Sequence, residues 1–104
     1  MRKSISQNSQ EIGFIEYVRA ADELQITDIF IQPEYRRQGL AEKNLRELFT
    51  ENKHSANAYL EVRASNTAAQ NLYAKLGFVK TGVRKNYYRA PAEDAVLLRK
   101  NLRN

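Results

Sequence analysis

The chain has 104 residues, 42% hydrophobic and 28% charged, with two prolines, four glycines and no cysteine. That length allows one modest core, the composition excludes disorder and low complexity, and the missing thiols exclude disulfides, thiolate metal sites and a cysteine nucleophile. A formal net charge of +5 favours acidic partners such as phosphates or RNA.

At the start, Met1-Arg2-Lys3 is followed by no apolar run, so no secretory signal is read. No stretch approaches the ~20 apolar residues of a membrane span, and the chain is expected to be cytoplasmic. No linker or internal repeat divides it, so residues 1–104 read as one domain. Residues 3–7 suit a short edge strand, with a turn at Asn8-Ser9-Gln10. Residues 11–19, carrying Ile12, Phe14, Ile15, Tyr17 and Val18, read as a strand, and so do residues 24–31. Ala20-Ala21-Asp22-Glu23 would join these two as a hairpin, and Pro33 would stop the second. From Leu40 to about Lys53 the period becomes helical, with Leu40, Leu45, Leu48 and Phe49 on one face. A strand follows over residues 58–63, with Glu61 and Arg63 alternating against Leu60 and Val62. Ser65 or Asn66 would cap a helix over residues 67–76, ended by Gly77. Residues 78–83, 87–89 and 94–99 read as closing strands. The order β-β-β-α-β-α-β-β calls for a mixed α/β (α+β) sheet flanked by helices.

The segment from Gln32 to Ala41, between a strand and a helix, carries Arg36, Arg37, Gln38, Gly39, Leu40 and Ala41. Such a turn aims backbone N–H groups at one point, at the positive end of a helix dipole. Gly39 admits close approach of a ligand to the backbone, and the two arginines add charge suited to a pyrophosphate. An exposed basic turn that only caps a helix explains the same residues. The glycine spacings of the Walker and dinucleotide loops are absent.

Arg36-x-x-Gly39-x-Ala41 resembles the pyrophosphate loop of the GNAT acetyltransferases. Asn66-x-x-Ala69-x-x-Leu72-Tyr73-x-x-x-Gly77-Phe78 resembles their later helix, and the two blocks stand in the family's order. Leu60-Glu61-Val62-Arg63-Ala64-Ser65-Asn66, Arg84-Lys85-Asn86-Tyr87-Tyr88 and Glu93-Asp94-Ala95-Val96-Leu97-Leu98 are similar to the RimI-type ribosomal-protein-alanine N-acetyltransferases. The resemblance implies a mostly antiparallel mixed sheet and acetyl-coenzyme A as co-substrate, with no metal. It also implies that the chain begins at the family's second strand, without the first strand and the two helices that wall the acceptor groove. Asn44 stands where the family has leucine, at some expected cost in packing.

Acetylating an amine requires a neutral nucleophile, a stabilised oxyanion and a protonated thiolate. An N-terminal amine has a pKa near 8, so a base must act first. The resemblance implies Glu61 for that base, against a solvated carboxylate paired with an arginine. It implies Tyr73 as the acid on the thiolate, against an ordinary core aromatic. It implies that the backbones of Ile29, Phe30 and Ile31 run beside the pantetheine arm, one N–H holding the oxyanion, and that Asn66 bonds the pantetheine amides while also capping its helix. Arg84, Asn86, Tyr87 and Tyr88 look like the acceptor side, or simply a polar edge hairpin. His54 reads as a surface residue.

The function expected is therefore N-acetylation of a primary amine, first of all a ribosomal protein's N-terminal alanine. Alternatives are another peptide or small amine, or a coenzyme A-binding module that is inactive or partner-dependent. A basic RNA-binding domain ranks last, because the spaced motifs of the common RNA modules are missing. Loss of a wall would bare a sheet edge and apolar surface, so a homodimer or a partner protein is expected to cover it.

Overall fold

The structure, a computed structural model, describes residues 1–103. Six strands form one sheet: β1 (Arg2–Gln7), β2 (Gln10–Ala20), β3 (Glu23–Ile31), β4 (Asn57–Arg63), β5 (Val79–Arg89) and β6 (Ala92–Asn101). Two helices, α1 (Leu40–Glu51) and α2 (Thr67–Lys75), connect β3 to β4 and β4 to β5. The spatial order is β1-β2-β3-β4-β6-β5, and only the β3–β4 pair is parallel. The expected element order, and a mostly antiparallel sheet, are both found.

Local chemistry explains the corners. The β1–β2 turn places Asn8 and Ser9 at φ 53° and 66°. A two-residue hairpin turn that matches strand twist needs positive φ at both positions, and Asn accepts it readily. Ala21 takes φ 53° in the next hairpin. Asn66, not Ser65, caps α2, its Oδ1 accepting from the Ala69 amide at 3.1 Å. The other end of α2 closes on Gly77, whose φ of 98° suits glycine. There the Phe78 amide donates to Tyr73 at 2.9 Å and the Gly77 amide to Ala74 at 3.0 Å. The Phe78 and Tyr73 rings meet edge-on at 5.7 Å, the apolar contact that accompanies this kind of helix end.

One expectation changes. The two strands expected over residues 78–83 and 87–89 are one strand, β5, which begins at Val79 and is broken in register between Arg84 and Tyr88. Arg84 faces Ala95 and Tyr88 faces Glu93, so β5 carries extra residues there. Asn86 sits in the break at φ 52°, its amide donating to Asp94 Oδ1 at 2.8 Å. Polar Lys85 and Asn86 interrupt the strand pattern at the level of sequence, but the Asp94 side chain carries the backbone across.

The core lies between α1 and one face of the sheet. Ile5, Ile12, Ile15 and Leu24 meet Leu45 and Leu48, all essentially without exposure. Asn44 is also buried, and its Nδ2 donates to the Leu40 carbonyl at 2.8 Å, so the amide that replaces an apolar side chain is satisfied. Leu48→Ala is expected to destabilise the fold by about 2–5 kcal/mol, read as a lower urea midpoint at unchanged slope. An unchanged midpoint would mean that α1 is not packed on the sheet as described.

Candidate active site

β3 and β4 pair over only three couples, Glu23↔Asn57, Leu24↔Ala58 and Gln25↔Tyr59. A bulge in β3 follows at Thr27, because Ile26 pairs with Tyr17 but Asp28 with Glu16. A bulge bends its strand and leaves the extra residue unpaired. Both strands run on past this point without pairing each other, and the sheet opens into a split.

The split exposes backbone. The Gln32 amide donates to Ile12 at 2.8 Å, so Gln32 faces β2. By alternation Phe30 also faces β2, whereas Ile29 and Ile31 turn their amides and carbonyls towards the split. Of the three residues expected along a pantetheine arm, only these two can therefore offer an amide to it. The Phe30 side chain packs at 5.7 Å from Phe14, on the far side of β3 from the core, and is 40% exposed.

Two clefts meet in the split. One, of about 320 Å³, is lined by Asp28, Ile29, Arg63, Asn66, Ala69 and Tyr73 among others. The other, of about 560 Å³, is lined by Glu23, Gln25, Tyr59, Arg84 and Tyr87 among others. Ile26, Thr27, Leu60, Glu61 and Tyr88 belong to both. Glu61 thus stands at the junction, half-buried on β4, with Arg84 at 3.5 Å. A carboxylate paired with an arginine was the plainer expectation for it, and the pairing is there, but at the meeting point of two clefts.

Tyr73 is partly buried and lines the smaller cleft. Burial pushes its phenol up to about 12, with the Asp28 carboxylate and Tyr88 adding to the effect. Tyr88 is pushed up as well, by burial first and the Glu61 carboxylate next. Asn66 lines the same cleft while its Oδ1 holds the cap. Arg84, Tyr87 and Tyr88 line the larger cleft, where the two tyrosine rings meet edge-on at 5.1 Å. Asn86 lines neither cleft; its amide is engaged with Asp94 in the β5 break.

The loop of Arg36, Arg37, Gln38 and Gly39 leads into α1 beyond the end of β3. The first amide donor within the helix is Lys43, to Gly39, so those of Leu40, Ala41 and Glu42 have no partner inside the helix. Gly39 holds φ 75° and Arg37 φ 63°. A β-carbon at Gly39 would meet no protein atom within 4 Å, so the space beside the loop at Gly39 is open. Arg36 Nε donates to the Ile31 carbonyl at 2.8 Å, which folds the loop back on β3.

Residues 4–89 match the model of the acetyltransferase (GNAT) domain, which is most of the chain. The chain belongs to the GNAT acetyltransferase family. Among relatives, this GNAT chain is 38% identical over 98 residues to the Escherichia coli K12 [ribosomal protein bS18]-alanine N-acetyltransferase, covering 90% of itself and 66% of that protein. A Bacillus subtilis protein provisionally given the same name is 49% identical over 80 residues, 74% of this chain and 52% of that one. The chain thus spans about half to two thirds of the length of these curated relatives. The crystal structure of the Escherichia coli ribosomal-protein-S18-alanine N-acetyltransferase superposes with a TM-score of 0.92 at 35% identity, over 98% of this chain and 68% of that one. An acetyltransferase from Bacillus anthracis, solved with acetyl-coenzyme A, superposes with a TM-score of 0.80 at 26% identity, over 91% and 58% of the two chains.

Several residues that line the split escape sequence reasoning. Thr27 and Asp28 are brought in by the bulge, for which the sequence carries no signal. Arg63 shares the Glu61 face of β4 by alternation, and that signal was available. Among the described residues no helix is long and apolar enough to cross a membrane. For Tyr73 the fold favours the neutral phenol, so its contribution to stability is full below the ordinary value near 10 and is lost as pH rises through about 12. In an absorbance titration of phenolate, Tyr73→Phe is expected to delete the most alkaline step. Loss of a step near 10 instead would place the ring in water.

Proposed function

We propose that this GNAT chain transfers the acetyl group of acetyl-coenzyme A to a primary amine, with a ribosomal protein's N-terminal alanine, that of bS18, as first choice. The observation that carries the reading is that Glu61 and Tyr73 line one cleft in the β3–β4 split, beside the free backbone of Ile29. Likeness to a relative solved with acetyl-coenzyme A supports the co-substrate, and the names of the two relatives described above support the acceptor.

In this reading the open amides of Leu40, Ala41 and Glu42, with Gly39, hold the pyrophosphate, and Arg36, Arg37 and Gln38 border it. Ile29 and Ile31 hold the pantetheine arm as an added strand would, with Asn66 at its inner end. Arg84, Tyr87 and Tyr88, with Asn86 shaping their strand, receive the acceptor in the larger cleft. Glu61 takes a proton from the acceptor ammonium, directly or through water, and the freed nitrogen lone pair attacks the thioester carbon. The Ile29 amide meets the charge that grows on the carbonyl oxygen. As the carbon–sulfur bond breaks, Tyr73 gives its proton to the sulfur, and the nitrogen loses its second proton to water to leave the neutral amide.

Calorimetry with acetyl-coenzyme A, followed by a thiol-release assay over a peptide panel, tests the proposal. Binding together with release that depends on a free N-terminus is expected; neither with any peptide would end it. Binding without release would favour a coenzyme A-binding module that lacks activity alone. The expected homodimer, or a partner protein in its place, would cover exposed Val18 and Phe30. Light scattering that gives a monomer at high concentration would remove it.

A further inference from the structure

Arg63 points along the same face of β4 as Glu61 but takes no part in the Glu61 ion pair. Its Nη1 donates to the Pro91 carbonyl at 3.1 Å and to Glu93 Oε2 at 3.3 Å. Its guanidinium carbon stands 4.3 Å from the centroid of the Tyr88 ring. The other oxygen of Glu93 accepts from the Ser65 amide, in the turn that leads into α2. One guanidinium therefore ties together the end of β4, the β5–β6 turn and, through Glu93, the start of α2. The Glu93 side chain is only 15% exposed, unlike the partners of an ordinary surface pair.

Tyr88 is the residue that makes this arrangement matter. It lines both clefts, together with Glu61, and it follows the register break in β5, where backbone pairing alone holds the strand less firmly. A planar fork that bonds a carbonyl and a carboxylate at its edge can still stack its face on an aromatic ring. Lysine cannot do both.

We propose that Arg63 is a positioning residue which, locked by Glu93 and Pro91, holds the Tyr88 ring across the junction of the two clefts and so sets the seat of the acceptor beside Glu61. The inference rests on the acetyl-transfer reading for its kinetic consequence but not for the clasp itself. Arg63 also lines the cleft proposed for the pantetheine arm, so coenzyme A affinity is measured separately from the acceptor KM.

The test pairs kinetics with fluorine NMR of protein labelled with 3-fluorotyrosine. The Tyr88 resonance is assigned by its disappearance in Tyr88→Phe. Arg63→Met is expected to shift that resonance and to raise the acceptor KM by about two- to thirtyfold, the range of a stacked cation. Glu93→Gln should do the same more weakly, and it serves if Arg63→Met does not fold. Arg63→Lys should recover part of the KM and little of the resonance. Combining Arg63→Met with Tyr88→Leu should add nothing to Tyr88→Leu alone. A wild-type Tyr88 resonance in folded Arg63→Met and Glu93→Gln proteins would overturn the proposal, and so would additive effects in the double variant. If the wild type releases no thiol with any acceptor, the acetyl-transfer reading fails, while the resonance still decides the clasp.

Discussion

Glu61→Gln is expected to slow acetyl transfer by roughly 10²–10⁴, the usual contribution of a positioned general base. The substitution keeps the size and the hydrogen-bonding shape of the side chain but removes its capacity to take a proton from the acceptor. The fold should tolerate it. The Glu61 carboxylate is about a third exposed, and its partner Arg84, at 3.5 Å, is more than half exposed, so losing the pair costs little. Coenzyme A affinity should also persist, because Glu61 stands on β4 and the open amides stand at the start of α1. Stopped thiol release with retained cofactor binding is therefore the expected pattern. Equal rates for wild type and Glu61→Gln at neutral pH would remove Glu61 from the chemistry and leave the family fold without this mechanism.

Gly39→Val should abolish measurable coenzyme A binding. Two effects act together at this position. Its φ of 75° lies in the left-handed region, where a β-branched residue is strained by roughly 1–3 kcal/mol. Its β-carbon would also project into open space at the start of α1. No protein atom lies within 4 Å of that β-carbon, so the fold raises no packing objection and the loss should fall on the ligand. Gly39→Ala shares the backbone strain with less bulk and should retain weak binding. Calorimetry that found wild-type affinity in a folded Gly39→Val protein would show that no phosphate approaches this loop.

Much of the fold is legible in local pattern. The alternation of Tyr59, Glu61 and Arg63 against Leu60 and Val62 places β4, and the apolar stripe of Leu45, Leu48 and Phe49 places α1. Gly77 ends α2 where a left-handed residue is needed. The residues nominated for the site come together for a simple reason: Glu61 and Tyr73 follow each other across one strand–helix connection. What stays hidden depends on contacts distant in sequence. The split between β3 and β4 arises where parallel pairing stops after Gln25 and Tyr59, and no residue there announces it. The continuity of β5 through Asn86 depends on Asp94. Arg63 looks like a solvated strand arginine until Glu93, thirty residues later, folds back on it. The division of labour among Ile29, Phe30 and Ile31 follows from which way each amide turns, and side-chain identity carries no trace of that.

The central claim is that the two clefts meeting at Glu61 bring an acceptor amine to the thioester of acetyl-coenzyme A. Mass spectrometry of a peptide panel, incubated with the protein and acetyl-coenzyme A, tests it most directly, provided the panel includes a peptide that begins Ala-Arg. The account predicts one added acetyl group, mapped by fragmentation to the α-amine of that peptide and absent with Glu61→Gln. An unmodified panel, from protein that calorimetry shows to bind acetyl-coenzyme A, would contradict it.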